Sequence, residues 1–191
     1  MVKFERPDSS EAHVAIESLK REKRKGSGKY NTNEVNKALG LMFAHKCYLC
    51  EKKDLDNLQI EHLVPHRGNR DLMFDWENLF LSCNHCNNIK NDKFTPILDC
   101  TKVAVDKKIA FRRHSEPFMP DKLEITALED DVETRNTVAL LNEVYYGSTA
   151  QKIEEAKIIR KQLYKRLNAF EECSNGLQCS WTGKNKKDLE L

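Results

Sequence analysis

The chain has 191 residues, 32% charged and 8% aromatic, with 32 Lys and Arg against 30 Asp and Glu for a formal net charge of +2. That near-neutral balance excludes nucleic-acid recognition by bulk charge, so any basic surface has to be local. Seven cysteines, an odd number, and the lack of a positively charged start leading into an apolar run argue against secretion and a disulfide framework. No apolar stretch approaches the roughly 20 residues that span a bilayer. The expectation is a small domain with helical extensions, in a reducing cytoplasm and without a membrane partner.

Residues 1–8 read as extended. Ser9 or Ser10 can cap a helix running to about Lys25, with Ala12, Ala15, Ile16 and Leu19 on one face. The basic run Lys20, Arg21, Lys23, Arg24 and Lys25 is taken as a solvated helix end. Gly26-Ser27-Gly28 breaks that helix, and Asn31 with Glu34 forms a capping box for a second one, whose apolar face is Val35, Ala38, Leu39, Met42 and Phe43. Its end delivers Cys47. Beyond the centre, Thr95-Pro96 closes the central unit, and 103–105 and 109–111 around Asp106-Lys107-Lys108 read as strand, turn and strand. Pro117 and Pro120 mark a loop, and 123–125 a further short strand. A helix over 132–145 ends at Gly147. A second begins near Ser148 or Thr149, with Ile153, Ala156, Ile159, Leu163, Leu167 and Phe170 at three- and four-residue steps, opposite Lys157, Arg160, Lys161, Lys165 and Arg166. Gly176 ends it. The chain therefore divides into an N-terminal helical segment (1–44), a central unit (45–95), a hairpin and loop extension (96–130), a C-terminal helical segment (131–176) and a flexible tail (177–191).

The central unit carries the chemistry. Two Cys-x-x-Cys pairs, Cys47/Cys50 and Cys83/Cys86, supply four thiolates as two tight knuckles, the donor set of a closed tetrahedral structural zinc. Redox Cys-x-x-Cys usually comes singly in a βαβ setting that these flanks lack. His85, between the second pair, has the chemistry to replace a thiolate but is read as a surface residue. Cys100, Cys173 and Cys179 have no metal spacing and read as free thiols. The spacer between the knuckles is too long for a short zinc ribbon, so something folds inside it. That insert holds Glu61-His62, at the end of an apolar strand before Pro65, and Asn78 before Leu79-Phe80-Leu81, while Asn87 follows the last knuckle. Neighbouring strand residues point to opposite faces, so Glu61 and His62 can share a site only if the strand end is irregular.

With these residues in place the sequence resembles the HNH nucleases of the ββα-metal, or His-Me finger, superfamily. There an acidic residue precedes the first histidine, a middle asparagine leads the second strand, and a final His or Asn lies on a helix after Cys-x-x-Cys, followed by a lysine. Glu61, His62, Asn78, Asn87 and Lys90 occupy those places. Two departures are Glu61, where Asp is common, and Asn87, where His is common. The implied fold is α+β, a small ββα-metal core with a four-cysteine zinc site flanked by N- and C-terminal helices.

Cys-Tyr-Leu-Cys-Glu, Ile-Glu-His-Leu-Val-Pro-His, Phe-Asp-Trp-Glu-Asn-Leu-Phe-Leu-Ser-Cys and Cys-Asn-Asn-Ile-Lys are further similar to the HNH subunit of Septu-type anti-phage systems and its retron-associated relatives. That resemblance implies a bacterial defence nuclease acting beside an ABC/SMC-like ATPase subunit. Spacing alone implies only a metal-dependent phosphodiesterase, and DNA and RNA present the same phosphodiester; DNA is the expected partner ahead of RNA. Phosphodiester hydrolysis needs an activated water and a cation on the phosphate. His62 suits the base, and Glu61 and Asn87 offer oxygens to Mg2+ or Mn2+. Asn78 suits bracing the loop that carries His62, and Lys90 and Arg67 are candidate phosphate contacts. His66 reads as a loop histidine. The competing readings are a catalytically silent zinc-stabilised binding or scaffold module, and a thiol-based redox or zinc sensor.

Overall fold

The computed structural model describes residues 1–53 and 58–174. Within them the chain is α+β, with helices around two separate two-stranded antiparallel sheets. Helix α1 spans Ser10–Lys23 and α2 spans Asn33–Met42. The Ser9 hydroxyl accepts from the Ala12 amide at 3.2 Å, satisfying one of the amides that a helix start leaves unpaired. The α2 cap is Thr32 rather than Asn31. Thr32 Oγ1 accepts from Val35 N at 3.4 Å and lies 3.0 Å from Ser18 Oγ, so the capping hydroxyl also ties α2 to α1. Ala12, Ala15 and Leu19 meet Val35, Ala38 and Leu39 in the core. A side chain on Gly28 would come within 1.9 Å of the Glu22 carbonyl, so the helix breaker also lets the chain fold back on the last turn of α1. The basic end of α1 is absorbed locally, through Lys20–Glu17 at 2.7 Å, Arg21–Glu34 at 3.3 Å and Lys23–Asp71 at 2.6 Å.

Strand β1 (Leu58–His62) pairs antiparallel with β2 (Leu79–Cys83), Ile60 opposite Leu81 and His62 opposite Leu79, and α4 (Asn84–Lys90) follows β2 directly. All five β2 residues are buried; the strand contacts both α2 and α4, which is why it reads as a continuous apolar run instead of alternating. Tyr48 and Phe43 pack on Phe80 with ring centroids 5.0 and 5.7 Å away, each such burial being worth roughly 1.5–3 kcal/mol. The connection from β1 to β2 holds two short helical turns, α3 (Arg70–Met73) and a 3-10 turn at Trp76–Asn78. Arg70 ties that connection to α1 by donating to the carbonyls of Lys23 and Lys25.

The hairpin lies further along the chain than its sequence pattern indicates. Residues Val105–Lys107 form a 3-10 turn, and the paired strands are β3 (Ile109–His114) and β4 (Lys122–Ala127), with Phe111 opposite Ile125. Lys107 N donates to Ala104 O at 3.1 Å, so local bonds take up backbone groups that a ladder would need. Helices α5 (Val132–Tyr146) and α6 (Ala150–Ser174) complete the fold. Gly147 between them has φ +72°, and a side chain there would meet the Lys152 and Ile153 backbone within 2.6 Å.

Ala156 and Ile159 of α6 are buried, whereas Ile153 and Phe170, expected on its packing face, are exposed. Of the basic residues expected opposite that face, two are directed at the protein body. Arg160 donates to Tyr145 O and stacks 4.9 Å over Tyr146, and Arg166 donates to Glu51 O at 2.9 Å. Cys100 is a buried free thiol; Cys173 is disulfide-bonded, not free as its isolated position suggested. The expected stop at Gly176, Cys179 and the 177–191 tail lie outside the described residues. Among the described residues no helix is long and apolar enough to cross a membrane.

Candidate active site

The sulfur frame is assembled by the turn after α2 and the start of α4. Glu51 N donates to Cys47 O at 2.8 Å, Cys47 N donates to Lys52 O at 3.0 Å, and Glu51 takes φ +58°, which closes the first knuckle tightly. Cys83 caps α4, its sulfur accepting from Cys86 N at 3.5 Å. The four sulfurs of Cys47, Cys50, Cys83 and Cys86 lie within 4.8 Å of one another and all four residues are buried. Cys50 and Cys83 are 3.8 Å apart; a tetrahedron built on Zn–S bonds of about 2.3 Å has edges of roughly 3.8 Å. Burial pushes the Cys86 thiol well up, and contact with the Cys47 and Cys83 sulfurs does the same to Cys50. Thiolates in such a place need a coordinated cation, which deprotonates its sulfur ligands outright. The frame fits zinc.

His85 takes no part in it and is not a surface residue. It is buried, with Nε2 donating to Val144 O at 2.8 Å and Nδ1 2.6 Å from Glu155 Oε2. The residue between the second pair of sulfurs thus ties α4 to α5 and α6.

Beside the frame lies a cleft of about 350 Å³ lined by Glu61, His62, His66, Arg67, Asn87 and Lys90, among others. His62 is the last residue of β1, and the chain turns immediately after it, Leu63 N donating to Asn78 O at 2.9 Å. Glu61 and His62 both keep regular ladder places, opposite Phe80 and Leu79, so the expected irregularity does not fall within the strand, and both residues line the cleft all the same. His62 Nε2 sits 3.0 Å from Met73 O. A carbonyl can only accept, so Nε2 carries the hydrogen and Nδ1 holds the lone pair. Burial keeps the imidazole below its usual range, hence neutral at pH 7.

Asn78 is outside the cleft. Its Oδ1 accepts from Val64 N at 2.8 Å, while Nδ2 donates to Val64 O at 2.9 Å and Leu72 O at 3.0 Å. These three bonds span the connection that presents Met73 O to His62.

Glu61 is 4% exposed. Its Oε1 accepts from the Tyr48 hydroxyl and lies 3.8 Å from the Lys90 ammonium, and Oε2 is buried without a hydrogen-bond partner. Burial outweighs the nearby Lys90 and pushes the carboxyl up to about 7. An unpartnered buried carboxylate oxygen costs of order 1–3 kcal/mol or more, which a hard cation would relieve. Asn87 donates Nδ2 to Gln59 Oε1 at 2.7 Å, leaving Oδ1 as the oxygen available to a ligand. Glu61 and Asn87 thus fit a divalent ion that takes few protein oxygens and keeps the rest of its sphere for water and phosphate.

Lys90 is turned inward. It is 2% exposed, and its ammonium donates to His62 O at 2.7 Å. Arg67 lies at the exposed edge of the cleft, 3.6 Å from Asp92. Two further residues meet the site that sequence reasoning did not single out. Tyr30 packs edge-on to His62 with ring centroids 4.6 Å apart, opposite no motif in the sequence. Tyr48 sits inside the first Cys-x-x-Cys pair, and an aromatic enclosed between two metal ligands was the one available signal.

Residues 47–93 match the model of the HNH endonuclease family. The matched segment contains the whole sulfur frame and nearly all of the cleft, which supports the HNH family for this part of the chain and a nuclease, with nucleic acid as its partner, as its function. No curated protein and no solved structure matches the chain.

Proposed function

We propose that the protein is a metal-dependent endonuclease hydrolysing phosphodiester bonds in nucleic acid, with His62 as general base and Glu61 and Asn87 as ligands of a catalytic Mg2+ or Mn2+. The observation that carries this reading is the tautomer of His62. With Nε2–H held by the Met73 carbonyl, the basic Nδ1 of a neutral imidazole belongs to a cleft that also offers the oxygens of Glu61 and Asn87. Imidazole in that state can take a proton from water as it attacks phosphorus. Glu61 and Asn87 would hold the divalent ion, which would supply neutralisation of charge on the phosphate and the leaving oxygen. Asn78 keeps the connection, and through it Met73 O, in register with His62. Arg67 meets a neighbouring phosphate from the rim. Zinc in the four-sulfur frame stays outside the chemistry, since four thiolates close its coordination sphere.

DNA is the first substrate to test and RNA the second. The resemblance to Septu-type nucleases supports a finer reading, in which the protein is the effector of a bacterial cytoplasmic defence complex and an ABC/SMC-like ATPase subunit binds its helical flanks. Incubation with supercoiled plasmid and with structured RNA in Mg2+ or Mn2+ should give cleavage that EDTA abolishes; intact substrates under every condition would favour a silent zinc module. Co-expression with a genomically neighbouring ATPase should give one complex on gel filtration, and separate elution would remove the partner.

A further inference from the structure

The two metal-related regions are joined by one side chain. Tyr48 lies between Cys47 and Cys50, is fully buried, and is fixed at both ends. Its backbone N–H donates to Leu81 O at 2.9 Å, its ring packs on Phe80, and its hydroxyl donates to Glu61 Oε1. A phenol beside a carboxylate oxygen donates to it. The Lys90 ammonium also lies near that oxygen, at 3.8 Å. Both of these contacts fall on Oε1, and among the described residues Oε2 is buried with no hydrogen-bond partner.

We propose that Tyr48 is a positioning residue for the catalytic divalent ion, its hydroxyl occupying Glu61 Oε1 and fixing the carboxylate so that Oε2 is the oxygen presented to the metal. This deepens the nuclease reading and rests on it. A carboxylate on a flexible side chain with two equivalent oxygens pays rotamer entropy on binding an ion and can present either oxygen. A rigid phenol donor removes that freedom, and outer-shell partners of this kind are typically worth roughly 10–100-fold in metal affinity. Because the phenol sits inside the first knuckle, the folding of the zinc frame sets the geometry of the second metal's ligand.

The test uses the zinc-loaded full chain. Mn2+ alone is titrated by electron paramagnetic resonance against wild type and Tyr48→Phe, with zinc content and far-UV circular dichroism measured in parallel. The expected result is unchanged zinc and fold with Mn2+ affinity weakened roughly 10–100-fold, and cleavage recovering at saturating Mn2+. A merely structural tyrosine would lower the melting temperature and leave Mn2+ affinity where it was; equal affinity in the two proteins overturns the assignment of Tyr48 while the nuclease reading stands. Wild type that binds no Mn2+ beyond its zinc overturns both. Should Tyr48→Phe fail to hold zinc, wild-type chain labelled throughout with 3-fluorotyrosine is titrated with Mg2+. A buried fluorine resonance, other than that of Tyr30 as identified by Tyr30→Phe, should shift in wild type and stay still in Glu61→Gln. No such shift in wild type overturns the proposal.

Discussion

The sulfur frame and the cleft are built from adjacent residues yet solve opposite problems. In the frame four buried sulfurs lie within 4.8 Å of one another, so an ion held there would take every donor and be closed off from solvent. In the cleft the side chains of Glu61, Asn87 and His62 each commit one polar atom to protein, Oε1, Nδ2 and Nε2, and leave the other over. Closure gives folding energy, and incompleteness gives chemistry. The contrast also explains the unequal use of hydrogen bonds: Asn78 makes three to its own connection, whereas Glu61 Oε2 makes none.

The largest expected effect breaks the closed side. Cys83→Ser should lose zinc and unfold the centre, because structural zinc contributes about 10–16 kcal/mol in small peptides against a net domain stability of about 5–15 kcal/mol. Metal analysis and a thermal melt check it, and a zinc-free protein that melts normally would show that the four sulfurs are not a metal frame. On the open side, His62→Ala should lower cleavage by roughly 10²–10⁴-fold with zinc and fold intact. Wild-type rates in the purified variant would remove the base.

Asn78→Ala should act between the two. It leaves the Val64 amide and the Val64 and Leu72 carbonyls short of a partner, a cost of about 1–3 kcal/mol for each group that stays buried. A denaturant midpoint should fall, and cleavage with it, as the Met73 carbonyl loses its register with His62. Stability unchanged within error would mean that the connection does not depend on this amide.

The smallest effect is in pH. Burial lowers the His62 pKa beneath its ordinary 6.5, so the base form predominates at neutral pH and is lost as pH falls through that depressed value. With Mg2+ saturating, the acid limb of the rate profile should therefore have its midpoint below 6.5. A midpoint at or above that value would show an imidazole more exposed than this one.

Local chemistry made much of this molecule readable in the sequence. Cysteine spacing announced the frame because a tetrahedral ion needs ligands in tight pairs, and Ser9, Gly28 and Gly147 marked helix ends because caps and close backbone approaches admit few residue types. Apolar periodicity located α1, α2 and α6, since a packed helix buries one stripe, although Ile153 and Phe170 of the stripe expected on α6 stay exposed. What the sequence could not settle depends on groups far apart in the chain. The hairpin shifted because Val105 is buried within a turn and the 103–105 pattern resembles a strand only locally. Thr32 displaced Asn31 as a cap because Ser18 of another helix lies beside it. Lys90 turned inward because the carbonyl of His62 and the carboxylate of Glu61 wait for it there, and His85 was buried by partners on α5 and α6. Residue type and spacing determined which atoms were available for metal and proton chemistry. Only tertiary packing decided which of those atoms were already taken, because a hydrogen bond spent on a distant strand or helix leaves no trace in local sequence.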